Sequence, residues 1–231
     1  MGKITVITGG TSGIGRGIAE KILAESAKED RIFVTYGHDE KKAAVFRDSL
    51  PEEKKSQVIL MKADMSSYDE MMAFVEELKK RADHIDWLVS NAGISTYAKY
   101  EDYTFDEWTK IVNTNLSVPV FLVKELRPIM NEGGSILFTG SYAGQQAYSS
   151  SLVYGVTKSA IHFLTKSLVK ELEPKQIRVN AIAPGFIETS WHKNRTPESY
   201  ERINRKIALH RFGEISEVAD MAYEVLKNGY M

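Results

Sequence analysis

The chain has 231 residues, 43% of them apolar, which suits one domain with a sizeable core. Its 30 Lys and Arg against 31 Asp and Glu leave a formal charge of -1, so no field draws it to nucleic acid and a metabolite is the default partner. The absence of Cys removes disulfides, thiolate nucleophiles and Cys-ligated zinc, and suits a reducing compartment.

Met1-Gly2-Lys3 leads directly into Ile4-Thr5-Val6-Ile7, without the long apolar core of a signal peptide. No later apolar run approaches the roughly 20 residues that span a bilayer. Val6 stands where a myristoylation signal needs Ser or Thr. A cytoplasmic protein with no membrane partner is expected.

Short β-branched runs then alternate with longer amphipathic ones. Strands are predicted at Ile4 to Thr8, Ile32 to Tyr36, Val58 to Ala63, Trp87 to Ser90, Ser135 to Thr139 and Val179 to Ala183, with helices in the intervals. Strands apolar on both faces suit a parallel sheet covered on each side, a three-layer, doubly wound α/β fold in a single domain over 1–231. Thr104 with Glu107 forms a capping box, and the apolar pattern behind it predicts one helix to about Met130. Another helix is predicted from about Leu152 to Leu172, stopped by Pro174. For Val120, Phe121, Val153, Phe163 and Leu164 on these helices, self-association and burial against the sheet are both open. The polar stretch Trp191 to Asn204, interrupted by Pro197, reads as a mobile substrate lid over about 189–210.

After the first strand comes Thr8-Gly9-Gly10-Thr11-Ser12-Gly13-Ile14-Gly15. Its glycines allow a tight turn and a close approach of backbone to a pyrophosphate, and a following helix N-terminus favours that anion. The spacing T-G-x-x-x-G-x-G is neither G-x-G-x-x-G nor a phosphate loop ending in Gly-Lys-Ser/Thr, so kinase and NTPase readings weaken. Further on, Tyr154 and Lys158 stand at i and i+4, one turn apart on a helix face, where the ammonium can stabilise a phenolate. Gly140-Ser141-Tyr142-Ala143-Gly144 is not the G-x-S-x-G of a nucleophile elbow. His38, His84, His162, His192 and His210 show no metal-ligand spacing, and no metal is expected. His192 reads as an exposed lid residue, and Asp83 and Asp86 as turn residues.

These motifs, in order, resemble those of the short-chain dehydrogenase/reductase family. They are Thr8 to Gly15, Asn91-Ala92-Gly93, Asn115 within Thr114-Asn115-Leu116, Ser141, Tyr154 with Lys158, and Pro184-Gly185, and together they cover nearly the whole chain. The resemblance implies a Rossmann-like fold, a nicotinamide cofactor and a homotetramer or homodimer built on the two long helices. By that resemblance Tyr154 protonates a carbonyl oxygen as hydride reaches its carbon, and Ser141 orients the same oxygen. Lys158 would hold the nicotinamide ribose and lower the pKa of Tyr154, while Asn115 would bind a water linking Lys158 to solvent. The family uses Gly9, Thr11, Ser12, Gly13, Ile14 and Gly15 around the pyrophosphate, and Asp64 and Met65 on the adenine. Asn91, Ala92 and Gly93 would lie on the adenosine side, and Pro184, Gly185, Ile187 and Thr189 would clasp the nicotinamide.

Cofactor choice falls after the second strand, at Thr35-Tyr36-Gly37-His38. Tyr36 supplies no carboxylate to repel a 2′-phosphate and Gly37 no guanidinium to hold one, and the missing acid favours NADP(H) over NAD(H). Within the family the chain is similar to β-ketoacyl-acyl-carrier-protein reductases, which implies an acyl-thioester substrate. Met130-Asn131-Glu132-Gly133-Gly134 lacks the basic residues usual there, leaving Lys175 and Arg178 as a partial patch and keeping a free ketone, polyol or sugar open. Gln145, Gln146 and Tyr148 would add polar reach to the pocket. Family members usually continue past Asn228-Gly229-Tyr230-Met231 into a last strand; a shortened sequence is the preferred reading of that difference, and if the stop is real an unpaired edge on the sixth strand is expected. A nucleotide-sensing binding protein is the non-enzymatic alternative. An epimerase with a C-terminal substrate domain is not expected, because only about 40 residues follow Thr189.

Overall fold

The computed structural model describes residues 2–147 and 151–231, so Tyr148 lies outside the described residues. Six strands form one sheet: β1 (Ile4–Ile7), β2 (Arg31–Tyr36), β3 (Val58–Lys62), β4 (Ile85–Ser90), β5 (Met130–Thr139) and β6 (Arg178–Ile182). All neighbours are parallel, in the order β3-β2-β1-β4-β5-β6. The chain reverses direction across the sheet between β1 and β4, and that switch opens a crevice at the carboxyl ends of these strands.

The helices are α1 (Gly13–Glu25), α2 (Glu40–Ser49), α3 (Glu52–Lys55), α4 (Tyr68–Arg81), α5 (Phe105–Val112), α6 (Val118–Leu126), α7 (Leu152–Leu172), α8 (Pro197–Asn204) and α9 (Ile215–Lys227). Side chains alternating along β1 feed two cores. Ile4 and Val6 join Phe74, Leu78, Leu122 and Ile161 beneath α4, α6 and α7. Ile7 joins Ile18, Ile22, Phe46, Ala222 and Leu226 beneath α1, α2 and α9. Three layers follow, as the two-sided apolar strands required. A Cβ on Gly17 would lie 2.2 Å from Ile215 Cγ2, so glycine is what lets α1 and α9 close together.

Four local differences from the sequence expectation have physical causes. The helix expected from Thr104 to Met130 is broken by a π-turn at Asn113–Ser117, where the Val118 amide bonds the Asn113 carbonyl. Pro119 has no N–H to offer the Asn115 carbonyl, so the regular α-helical bond is absent there. β5 begins five residues early because Met130 pairs with Ile85, while Ser135 pairs with Trp87. Residues 131–134 bulge between them, with Gly133 at φ 74°. Pro197 starts α8, where Thr196 Oγ1 accepts the Ser199 amide at 3.3 Å, so it is a helix opener and not a break in a loop. β6 does stand at the sheet edge, but its side chains are engaged: Arg178 donates to the Val225, Leu226 and Met231 carbonyls and Asn180 to Met231.

The apolar residues on the two long helices divide. Val153 is buried and Leu164 packs on the core, whereas Phe163 is 72% exposed and Phe121 39%. Among the described residues no helix is long and apolar enough to cross a membrane.

Candidate active site

The Gly-rich turn is held by β2. The Gly9 amide donates to Thr35 Oγ1 and the Gly10 amide to the Thr35 carbonyl, each at 3.1 Å. Gly9 and Gly13 take φ of 64° and 55°, a region costly for other residues. α1 then opens behind Ser12 with no acidic residue in its first turn, which leaves its positive end for an anion.

Asn91 clamps this turn, a side-chain role the sequence did not reveal. Its Nδ2 donates to the Thr8 and Gly9 carbonyls at 3.1 and 3.2 Å, and its Oδ1 accepts Thr139 Oγ1 at 3.1 Å. Thr8 Oγ1 in return accepts the amides of Asn91 and Ala92. The ends of β1, β4 and β5 are thereby tied through partly buried, partnered polar groups. Gly15 backs the clamp: a Cβ there would sit 2.3 Å from Asn91 Nδ2 and 2.5 Å from the Gly9 carbonyl oxygen. Gly15→Ala is therefore expected to weaken nicotinamide-cofactor binding at least about tenfold and to cost roughly 1–3 kcal/mol of stability. Cofactor titration and urea unfolding check both, and an unchanged dissociation constant would refute the clamp.

A cleft of about 850 Å³ runs across the carboxyl ends of the strands. The Gly-rich turn lines it with Gly9, Ser12, Gly13 and Ile14, and the end of β4 with Asn91, Ala92 and Gly93. Asp64 and Met65 lie at one end; Pro184, Gly185, Ile187 and Thr189 lie beside Ser141, Tyr154 and Lys158. Thr11, Gly15, Tyr36 and Asn115 do not line it. At the adenosine end His38 Nε2 lies 3.0 Å from Asp64 Oδ2, and the Ser66 amide donates to Asp64 Oδ1 at 2.8 Å. Burial alone would raise the Asp64 pKa, but the Ser66 bonds and His38 hold the carboxyl below its usual value. Arg16 points away, bound to Glu20 and Ser49.

At the other end Ser141 lies near enough to the Tyr154 hydroxyl to favour its phenolate, and Lys158 Nζ lies 5.6 Å from the Tyr154 ring centre. The i, i+4 spacing on α7 thus produces the expected pair. Lys158 is 4% exposed and donates to the Thr139 carbonyl at 2.6 Å. Burial lowers its pKa to about 8, and burial raises that of Tyr154 against a smaller downward pull from Ser141. Desolvation of the phenol is the larger of these two effects on Tyr154.

The Asn115 side chain is held by protein groups: Oδ1 accepts the Ile94 amide at 2.9 Å, while Nδ2 donates to the Ile94 carbonyl and to Thr157 Oγ1. It fixes the loop after β4 against α7. His192 is buried, correcting its reading as an exposed residue. It packs between Phe186 and Phe212 and accepts Arg195 Nε at 3.1 Å. Burial and Arg195 keep its pKa low. Trp191, seen in sequence only as the start of a polar stretch, has its ring 5.9 Å from that of Tyr154 and its carbonyl bound by the Tyr97 hydroxyl.

A doubly wound sheet with a Gly-rich first turn and a half-buried Tyr beside a buried Lys at its crevice defines a class, the nicotinamide-dependent oxidoreductases. Residues 3–199 match the family model described as short chain dehydrogenase. The chain belongs to the short-chain dehydrogenase/reductase family. It is 31% identical over 224 residues to the 3-oxoacyl-acyl-carrier-protein reductase FabG of Aquifex aeolicus, covering 96% of this chain and 88% of that one. It is 30% identical over 233 residues to carbonyl reductase family member 4 of Xenopus laevis, covering 100% and 94%. Among solved structures it is similar to a Pseudomonas aeruginosa RhlG/NADP active-site complex, with a TM-score of 0.88, 28% identity, and coverage of 100% and 92%.

Proposed function

We propose that the protein reduces a carbonyl group with NADPH, or oxidises the matching alcohol with NADP. The observation that carries this is Tyr154 and Ser141 lining one end of the cleft together, with the buried Lys158 ammonium beside the Tyr154 ring. The residues present fit a dinucleotide: the two left-handed glycines and the open helix end suit a pyrophosphate, and the Asp64 end suits adenine. When bound, the nicotinamide supplies hydride. Ser141 then orients the carbonyl oxygen, Tyr154 transfers the proton to it, and Lys158 supplies positive charge near both. Asn115 holds the β4 loop, and segment 189–210 covers the substrate with Trp191, beside Phe186. The exposed faces of Phe121 and Phe163 belong to a homodimer or homotetramer interface in this reading.

NADPH is favoured because none of Tyr36, Gly37 and His38 supplies a carboxylate after the second strand. A Cβ on Gly37 would meet nothing within 4 Å, and the His38 side chain there is 75% exposed. The relative solved with NADP supports the same choice. Introducing an acid with His38→Asp is expected to shift the ratio of kcat/KM for NADPH over NADH at least about tenfold towards NADH, through repulsion of the 2′-phosphate. An unmoved ratio would overturn the assignment.

For the substrate, one observation favours a free ketone over a carrier-bound thioester. The basic residues expected to receive an acidic carrier are occupied: Lys175 Nζ donates to the carbonyls of Arg127, Pro128 and Met130, and Arg178 is engaged as described above. Oxidation of NADPH, followed by absorbance against 3-oxoacyl thioesters, diketones and sugars, tests the reading. Turnover of thioesters alone would reject the free ketone, and turnover of nothing, with cofactor bound, would favour a nucleotide-sensing protein.

A further inference from the structure

Beyond Ser90, which pairs with Phe138, β4 no longer covers its side of β5. On the other side the register with β6 continues into the loop: the Gly140 amide donates to the Ile182 carbonyl at 2.8 Å and the Tyr142 amide to the Pro184 carbonyl at 3.0 Å. Alternation along an extended chain turns the Thr139 carbonyl and the Ser141 amide towards the uncovered side. Both are met from α7, one turn apart. Lys158 Nζ donates to the Thr139 carbonyl at 2.6 Å, and the Ser141 amide donates to His162 Nε2 at 3.3 Å. The ring lies directly against the strand, since a Cβ on Gly140 would be 2.3 Å from that same Nε2.

We propose that His162 is a positioning residue for Ser141: its neutral ring supplies the acceptor that fixes the Ser141 amide, and with it the aim of the Ser141 hydroxyl at Tyr154. This rests on the reading of Ser141 and Tyr154 given above. The Ser141 Oγ accepts the Ala143 amide at 3.2 Å and shares the cleft with Tyr154, so a rotation of the Ser141 peptide would displace it. An amide that donates to Nε2 requires the ring proton on Nδ1. Protonation would put N–H against N–H and end the bond. The charged groups that bear on the ring are Lys158 and Lys166, both on α7, while β5 and β6 present backbone there at Gly140 and Ile182. Burial first, and then these two cations, keep the imidazole pKa below its ordinary value, so the acceptor persists at neutral pH and is lost in acid.

The experiment compares His162→Leu, which removes the acceptor, with His162→Gln, whose Oε1 can replace Nε2 without titrating. For the Leu variant kcat is expected to fall about tenfold, the scale of one lost hydrogen bond, with the cofactor dissociation constant unchanged. The Gln variant is expected to restore kcat to within about twofold of the parent at pH 7 and to lose the acid limb of the parent's kcat profile. Nitrogen-15 NMR of the parent enzyme, which needs no turnover, is expected to show the Nδ1–H tautomer at pH 7. An Nε2–H tautomer, a Gln variant as impaired as Leu, or an acid limb unchanged in Gln would each overturn the proposal. The last of these decides the matter even if the Leu variant does not fold. Normal turnover in Tyr154→Phe would instead strike the parent reading, and the tautomer still reports on His162 separately.

Discussion

Replacing Tyr154 with Phe is expected to leave nicotinamide-cofactor binding intact and to lower turnover at least about 10²-fold, the scale of general acid catalysis. The ring keeps its packing against Trp191 and beneath Lys158, because only the hydroxyl is removed. What disappears is the hydroxyl that shares the cleft with Ser141 and can deliver a proton. Cofactor titration by fluorescence separates binding from chemistry, and steady-state rates on the same preparation give the loss. A variant that turns over near the parental rate would remove Tyr154 from the mechanism.

Lys158→Met should both cripple turnover and change how stability responds to pH. Burial holds the native ammonium at about pKa 8, whereas the unfolded side chain titrates near 10.4. Between these values the unfolded state binds more protons, so stability rises with pH there. Integrated between pH 8 and pH 10, the gain is about 2 kcal/mol. The penalty is present in full below pH 8 and is relieved as pH climbs towards the unfolded value. The raised pKa of Tyr154 acts above pH 10 and with the opposite sign, which leaves the window to the lysine. Urea midpoints at pH 8, 9 and 10 should climb in the parent and stay nearly level in the Met variant. Parallel curves would show that Lys158 is not the buried titrating group. Turnover falls in the same variant because the positive charge beside the Tyr154 phenol is gone.

The pattern of strands was legible because parallel strands buried on both faces must be apolar throughout, and all six occur where β-branched runs stand. Their boundaries were less so. Met130 joins β5 only because Ile85 is beside it, and nothing local in Asn131-Glu132-Gly133-Gly134 announces a bulge that rejoins the same neighbour. The π-turn at Asn113–Ser117 has a local trace in Pro119, yet the apolar period runs through it unchanged. His162 was within reach of a helical wheel, being four residues after Lys158 on the same face, but its partner is a backbone amide, and backbone amides leave no mark in sequence.

The sequence by itself determined the doubly wound order of elements, the Gly-rich turn, the Tyr154–Lys158 pair and the family, since each depends on residue type at short, fixed spacing. Tertiary structure alone decided what surrounds them. It spends Asn115 and Asn91 on clamping loops, buries His192 among aromatic rings, and consumes Lys175 and Arg178 in capping carbonyls. The physical reason is common to all five. A polar side chain serves whichever donor or acceptor folding leaves unpaired nearby, and which group that is depends on strands and helices far apart in the chain.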